Sequence, residues 1–233
     1  MVENAIILCS GGLDSVVSAY YVKKRLKYDK IKILFFDYGQ RNLKWERKFS
    51  RICTRDLKAE FLEIDLRWLG KISKSLINNN QRVRKLKRED LKDSKKESEK
   101  YYVPCRNMIF LALALAFAES LYIKEKKKYD IFIGFKCEGK ESYSDTTKEF
   151  VNMMNKLSET GTDGRFRILA PLIEMDKEDI ILLGQKLGVD FRKTFSCYIN
   201  SRIHCGRCLA CMLRKEGFYW ANMKDKTEYT SLH

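Results

Sequence analysis

Asn4-Ala5-Ile6-Ile7-Leu8-Cys9-Ser10-Gly11-Gly12-Leu13-Asp14-Ser15 starts as an apolar run and breaks at a serine and two glycines. Ala5 to Leu8 has the make-up of a buried strand, and Leu13 to Leu26 resumes apolar residues at helical spacing. The stretch is a strand, a glycine turn and a helix. Adjacent glycines let the backbone come close to an anion, and the helix start adds unpaired N–H groups and the positive end of its dipole. Neither Gly-x-x-x-x-Gly-Lys-Ser/Thr nor Gly-x-Gly-x-x-Gly is present. The turn is nonetheless built to hold phosphate.

Working outward, Ile31 to Phe36 is a second apolar run that ends in Asp37-Tyr38-Gly39-Gln40-Arg41, and Glu60 to Ile64 reads as a third strand. Between them, Leu43 to Leu57 carries Trp45, Phe49, Ile52 and Cys53 at helical spacing. Residues 71–100 turn polar and heavily charged, an insertion or lid. Tyr101 to Asn107 then opens a long helix, apolar on nearly every side and so expected to be buried. Arg106 and Asn107 in its first turn suit an anion or carboxylate. Asp130 to Gly134 reads as a fourth strand, followed by a polar loop through Cys137, Glu138, Gly139 and Ser142 to Phe150. Glu149 to Leu157 is read as helix and Phe166 to Leu169 as a short strand. Asp176 is expected to cap a helix from Lys177 to Leu187 that stops at Gly188. Alternation of this kind makes an α/β fold with a parallel sheet, whose ligands bind outside the carboxyl ends of the strands.

The chain has 233 residues, 45% of them hydrophobic, enough for one α/β domain over residues 1–233 with a substantial core. No membrane-spanning run and no leader segment is read, so a cytoplasmic protein without a membrane partner is expected. The formal charge of +15 comes from lysines spread through every segment; nucleic acid is compatible with it but not required. Among eight cysteines, Cys9, Cys53, Cys105 and Cys137 are scattered, whereas Cys197, Cys205, Cys208 and Cys211 cluster within a subregion at residues 194–220. Thiols at Cys-x-x-Cys-x-x-Cys spacing with a fourth upstream suit one structural zinc ion per chain. His204 is an alternative donor, and an iron–sulfur cluster is the competing occupant.

Ser10-Gly11-Gly12-Leu13-Asp14-Ser15 resembles the PP-loop of the ATP pyrophosphatases, which activate a carboxyl, carbonyl or amide oxygen by adenylation. That resemblance implies that Ser10, Gly11, Gly12, Leu13 and Ser15 hold ATP phosphates, with Asp14 near the ATP and its Mg²⁺. The wider set of motifs is similar to the 7-cyano-7-deazaguanine synthases from Ala5 to about Phe218. It comprises SGGLDS, FDYGQR, VPCRN, YSDTTKEF, the Ala170-Pro171-Leu172 turn before a lysine-bearing helix, TFSCY and HCGRCLACMLRKEGF.

This likeness implies a Rossmann-like parallel sheet flanked by helices, ATP with Mg²⁺ as cosubstrate, structural zinc and a homodimer. The implied reaction converts 7-carboxy-7-deazaguanine and ammonia into the nitrile through an activated carboxylate and an amide. Lys177 would neutralise phosphate charge along with Mg²⁺ and the amide-rich loop at Ser10 to Ser15, with Phe36 and Asp37 near the nucleotide. Arg106 or Arg41 would grip the substrate carboxylate, with Gln40 and Asn107 beside them. Asp145 and Glu149 would read the guanine-like edge, and Phe36, Tyr38 and Tyr143 offer rings for stacking.

Three departures from the family pattern stand out: Cys105 replaces a glycine, Asn42 a histidine, and the Tyr143 to Phe150 loop lacks two prolines and an arginine. They leave open a PP-loop relative with another acceptor, such as a deazaguanine enzyme acting on a macromolecule, a tRNA thiolase or a lysidine-type ligase. A zinc-stabilised nucleic-acid-binding module without ATP chemistry is the non-enzymatic alternative.

Overall fold

The computed structural model describes residues 4–93, 95–136, 143–199 and 202–230; Cys137, Glu138, Gly139 and Ser142 of the second polar loop lie outside them. Five strands pair in parallel in the order β3-β2-β1-β4-β5. They are β1 (Asn4–Leu8), β2 (Lys30–Asp37), β3 (Glu60–Asp65), β4 (Asp130–Ile133) and β5 (Ile168–Leu169). The longer helices are α1 (Leu13–Lys24), α2 (Leu43–Asp56), α5 (Arg106–Glu125), α6 (Lys148–Gly161), α7 (Lys177–Lys186) and α8 (Leu209–Trp220). Two short ones, α3 (Arg67–Ile72) and α4 (Lys95–Glu99), lie at the start and near the end of the charged segment.

Because side chains alternate along a strand, the sheet carries two cores. Ile6, Leu8, Leu34, Phe36, Ile131 and Ile133 face α5 and the cysteine-rich region, whereas Ala5, Ile7, Cys9, Ile33 and Phe132 face α1 and α7. The chain runs outward from β1 through β2 to β3, then crosses to the other side of β1 for β4. That reversal opens a crevice at the carboxyl ends of β1 and β4, where parallel sheets bind ligands.

Three details differ from the sequence-based expectation. First, α5 is not buried all round: Leu111, Ala114, Leu115 and Ala118 are buried, but Met108 and Ile123 are 47% and 64% exposed. A helix lying on a sheet buries one stripe, and its remaining apolar surface stays outside. With a mean hydropathy of 1.4, α5 is long and apolar enough to cross a membrane by length and composition, and 33% of that window is buried in the protein. Second, Asp176 occupies the position preceding α7 but makes no side-chain capping bond. Third, the strand expected from Phe166 is reduced to Ile168–Leu169, where it pairs with β4.

Residues 71–100 carry few apolar side chains, yet Ile77, Val83 and Leu86 are buried against the α5 side of the sheet. Backbone bonds fasten the segment at two places. Arg41 N–H donates to the Ile77 carbonyl (2.8 Å), and Leu86 N–H donates to the Arg207 carbonyl (2.9 Å). A strap thus runs from the loop after β2 to the cysteine cluster.

Candidate active site

The phosphate turn leaves β1 with Cys9 N–H still donating to the Leu34 carbonyl. Gly11 then takes φ +79°, and a Cβ there would lie 2.6 Å from Ser50 N and 2.8 Å from the Glu46 carbonyl oxygen of α2. Only glycine fits both the dihedral and the space. Ser15 Oγ donates to the Gly12 carbonyl (3.0 Å), and the Ser10 and Ser15 hydroxyls lie 3.3 Å apart. Gly12 precedes α1 without a side-chain cap, so the first-turn N–H groups stay available to an anion.

Asp14 in that first turn receives Lys177 Nζ on both carboxylate oxygens, at 2.7 and 2.6 Å. Lys177 reaches it from the start of α7 past Gly217 of α8, where a Cβ would lie 2.2 Å from Lys177 Cγ. The remaining side of the turn is closed by the cysteine-rich region, through Phe195 N–H donating to the Gly11 carbonyl (2.9 Å).

A cavity of about 310 Å³ extends from this turn along the carboxyl ends of the strands. Ser10, Gly12, Leu13, Asp14, Ser15 and Lys177 line one end, and Phe36, Tyr38, Arg106 and Asn107 line the other. Burial works against the charge of Arg106, but Tyr38, Tyr198 and Asp145 nearby hold its pKa above the ordinary value. Its guanidinium lies 5.7 Å from the Tyr38 ring centroid, within cation–π range. Burial raises the Tyr38 phenol well above its usual pKa. Phe36 is stacked on Phe110, with centroids 4.1 Å apart, and that face is taken up by packing.

Other residues singled out from sequence stand away from the cavity wall. Asp37 is buried and accepts from Gly39 N–H and Arg47. Arg41 is half-buried and donates to the Gln81 carbonyl (3.0 Å), an acceptor that the strap supplies. Gln40 is buried with its amide fully used, taking Tyr38 N–H and donating to the Phe36 carbonyl and to Glu46. Tyr143 donates to the Ser98 carbonyl, Asp145 is buried with its carbonyl bonded by Asn107, and Glu149 is exposed in the first turn of α6.

Among the cavity residues not read from sequence are two charged residues on helices, Glu46 and Arg214. Glu46, in the first turn of α2, lines the cavity, and burial pushes its carboxyl up to about 7 against the opposing Gln40 hydrogen bond and Arg106 charge. Its spacing to Phe49, Ser50 and Cys53 puts a carboxylate on the inward face of α2, the one available signal. Arg214 of α8 is 1% exposed and is satisfied by Asp225, Thr194, Ser196, Thr227 and the Phe191 carbonyl.

The thiols of Cys197, Cys205, Cys208 and Cys211 lie within 4.8 Å of one another. A tetrahedral thiolate site with metal–sulfur bonds of about 2.3 Å requires sulfurs roughly 3.8 Å apart, and Cys205 Sγ stands 3.9 Å from Cys211 Sγ. Backbone N–H groups of Ile199, Cys205, Arg207 and Cys208 point at these sulfurs at 3.3–3.4 Å, as expected around thiolate ligands. The donor set fits a metal ion. His204 is outside it, since its Nε2 accepts from Ser196 N–H (3.0 Å).

A model of the family described as Queuosine biosynthesis protein QueC matches residues 4–222. The 7-cyano-7-deazaguanine synthase of Methanothermobacter thermautotrophicus is 33% identical over 227 residues, covering 97% of this chain and 99% of that protein. The protein of that name from Methanocaldococcus jannaschii is 38% identical over 237 residues, with 97% and 99% covered. Among solved structures, the U34-tRNA thiolase NcsA from Methanococcus maripaludis with its 4Fe–4S cluster overlays with a TM-score of 0.48 at 15% identity, across 95% of this chain and 66% of that one. The family match spans the chain from β1 to just past α8, and the curated relatives align end to end with it: this protein belongs to the QueC family.

Proposed function

We propose that this chain is an ATP-dependent ligase that converts 7-carboxy-7-deazaguanine and ammonia into 7-cyano-7-deazaguanine. The observation that carries the reading is one continuous cavity with a phosphate turn at one end and Arg106 at the other. Ser10, Gly12, Leu13, Ser15 and the N–H groups of α1 hold the phosphates of ATP, and Gly11 shapes the turn. Lys177 neutralises charge that develops as phosphate leaves, and Asp14 orients it. Arg106 binds the substrate carboxylate beside Tyr38, and Asn107 fixes the neighbouring Asp145 loop. A carboxylate is a poor electrophile, so its oxygen is first adenylated; ammonia displaces AMP to give the amide, and a second adenylation allows loss of AMP to give the nitrile. Asp14, the acidic residue in the first turn of α1, would hold Mg²⁺ together with the bound phosphates, and the ion would supply charge neutralisation there.

The four thiols would hold a structural zinc ion, a reading supported by the convergence of four protein donors within 4.8 Å of one another. The chain acts in the cytoplasm as a homodimer. Met108 and Ile123 of α5, with Met153 and Leu157 of α6, give neighbouring helices exposed apolar side chains for a second copy to cover. The experiment is mass spectrometry of protein incubated with 7-carboxy-7-deazaguanine, ammonium, ATP and Mg²⁺. Amide and nitrile are expected; ATP binding without either product would point to another acceptor.

A further inference from the structure

Glu46 lines the cavity and has no part in the assignments above. Its backbone carbonyl packs against Gly11, which places the residue beside the phosphate turn, and its carboxylate feels the charge of Arg106. Gln40 Nε2 donates to Oε2 (3.1 Å), and Gln40 is itself fixed by the Phe36 carbonyl and Tyr38 N–H. The carboxylate is thus held by a side chain with no freedom left. Among the described residues, Oε1 accepts no hydrogen bond.

The reaction needs a base at that place. When ammonia adds to the adenylated carboxyl carbon, a C–N bond forms and the nitrogen must shed a proton as AMP departs with the C–O electron pair. When the adenylated amide becomes a nitrile, the nitrogen loses its remaining protons and the second C–O bond breaks toward AMP. Both events occur at one carbon, between the phosphate turn and Arg106. Asp14 is tied through both oxygens to Lys177, and the Tyr38 phenol is raised by burial, so neither suits the task at neutral pH.

We propose that Glu46 is the general base that takes these nitrogen-bound protons; the assignment rests on the nitrile-forming reading above. Its raised pKa, about 7, suits a group that must accept a proton and release it again. The titratable and charged groups that face it are Tyr38 from the loop after β2 and Arg106 from α5, and the paired Asp14 and Lys177, Lys136 after β4, Tyr198 and Arg214 of α8 line the same cavity.

The test compares wild type with Glu46→Gln and Glu46→Asp in two assays. One follows amide and nitrile formation; the other follows substrate-dependent exchange of labelled pyrophosphate into ATP, which reports adenylation and requires no base. Glu46→Gln is expected to keep exchange while product formation falls about a hundred- to ten-thousand-fold, and Glu46→Asp to recover part of the loss. At constant free ammonia, the wild-type product rate should rise with pH through about 7 and level off, and Glu46→Gln should lack that rise. Product formation close to wild type in Glu46→Gln overturns the proposal, as does equal loss of exchange and product. If the glutamine variant does not fold, a flat wild-type profile across neutral pH overturns it. A wild type that exchanges pyrophosphate but makes neither amide nor nitrile instead overturns the acceptor reading on which the proposal rests.

Discussion

The Asp14–Lys177 pair sets the chemistry at one end of the cavity, and it is a pair that the fold itself can spare. Both side chains still reach solvent, at 27% and 17% exposure, so water can solvate whichever charge loses its partner. Asp14→Ala is expected to lower turnover by about a hundred-fold or more while the melting temperature barely moves; product assays and thermal melts on the same preparation check this. Gly11→Ala should behave in the opposite way, losing both ATP affinity and stability. Its φ of +79° and the 2.6 Å approach to Ser50 N strain any side chain there, at a cost of about 1–3 kcal/mol. Residues of this kind are legible in sequence because a phosphate turn demands fixed residue types at fixed, short spacing. Glu46 and Arg214 are not. A charged residue is drawn into a cavity wall only through contacts made by distant segments, and the spacing of Glu46 to Phe49, Ser50 and Cys53 marks a helix face without saying that a cavity lies there. Arg41 illustrates the converse, since it stands beside the cavity in sequence and is drawn away by a carbonyl of the strap.

At the scale of elements, α8 and the cysteine cluster behave as part of the nucleotide site. Cys208 is the residue before α8, and Phe195, between Cys197 and the 3₁₀ turn Phe191–Lys193, donates its N–H to Gly11. A metal ion held by the four thiols would therefore be coupled to the geometry of the phosphate turn. Cys208→Ala should lose the metal, melt at lower temperature and bind ATP more weakly, as metal analysis, thermal melting and ATP titration would register together. Arg214 ties the same region to residues 225–227. Burial alone would raise the Asp225 pKa, but Arg214, Tyr229 and Thr227 hold it below the ordinary carboxylate value. A depressed folded pKa gives stability that is fully present above the unfolded value of about 3.9 and is lost as pH falls through the folded value. Arg214→Met leaves Asp225 buried without its partner, which should cost about 3–5 kcal/mol and move the acid-unfolding midpoint to higher pH. The order of strands and helices was readable from apolar runs and glycine stops. The path of residues 71–100 was not, because three buried apolar residues among many lysines do not make a periodic signal.

Across the whole molecule, the exposed apolar side chains of α5 and α6 and the distribution of charge have separate consequences. Met108→Glu with Met153→Glu should leave the monomer folded, since both side chains lie outside the core, and shift the sedimentation coefficient from dimer to monomer. The charge of +15 is spread through the chain, so turnover on the small substrates should persist when RNA is absent. The two ends of the cavity act together: ATP held at the phosphate turn activates the oxygens of a carboxylate held at Arg106 in the reaction proposed above. Substrate carrying heavy oxygen in both carboxylate positions tests it directly, with mass spectrometry of the released nucleotide after conversion to the nitrile. Each nitrile formed should deliver both labelled oxygens to AMP, one from each activation. Unlabelled AMP, or label appearing in water or orthophosphate, would contradict it.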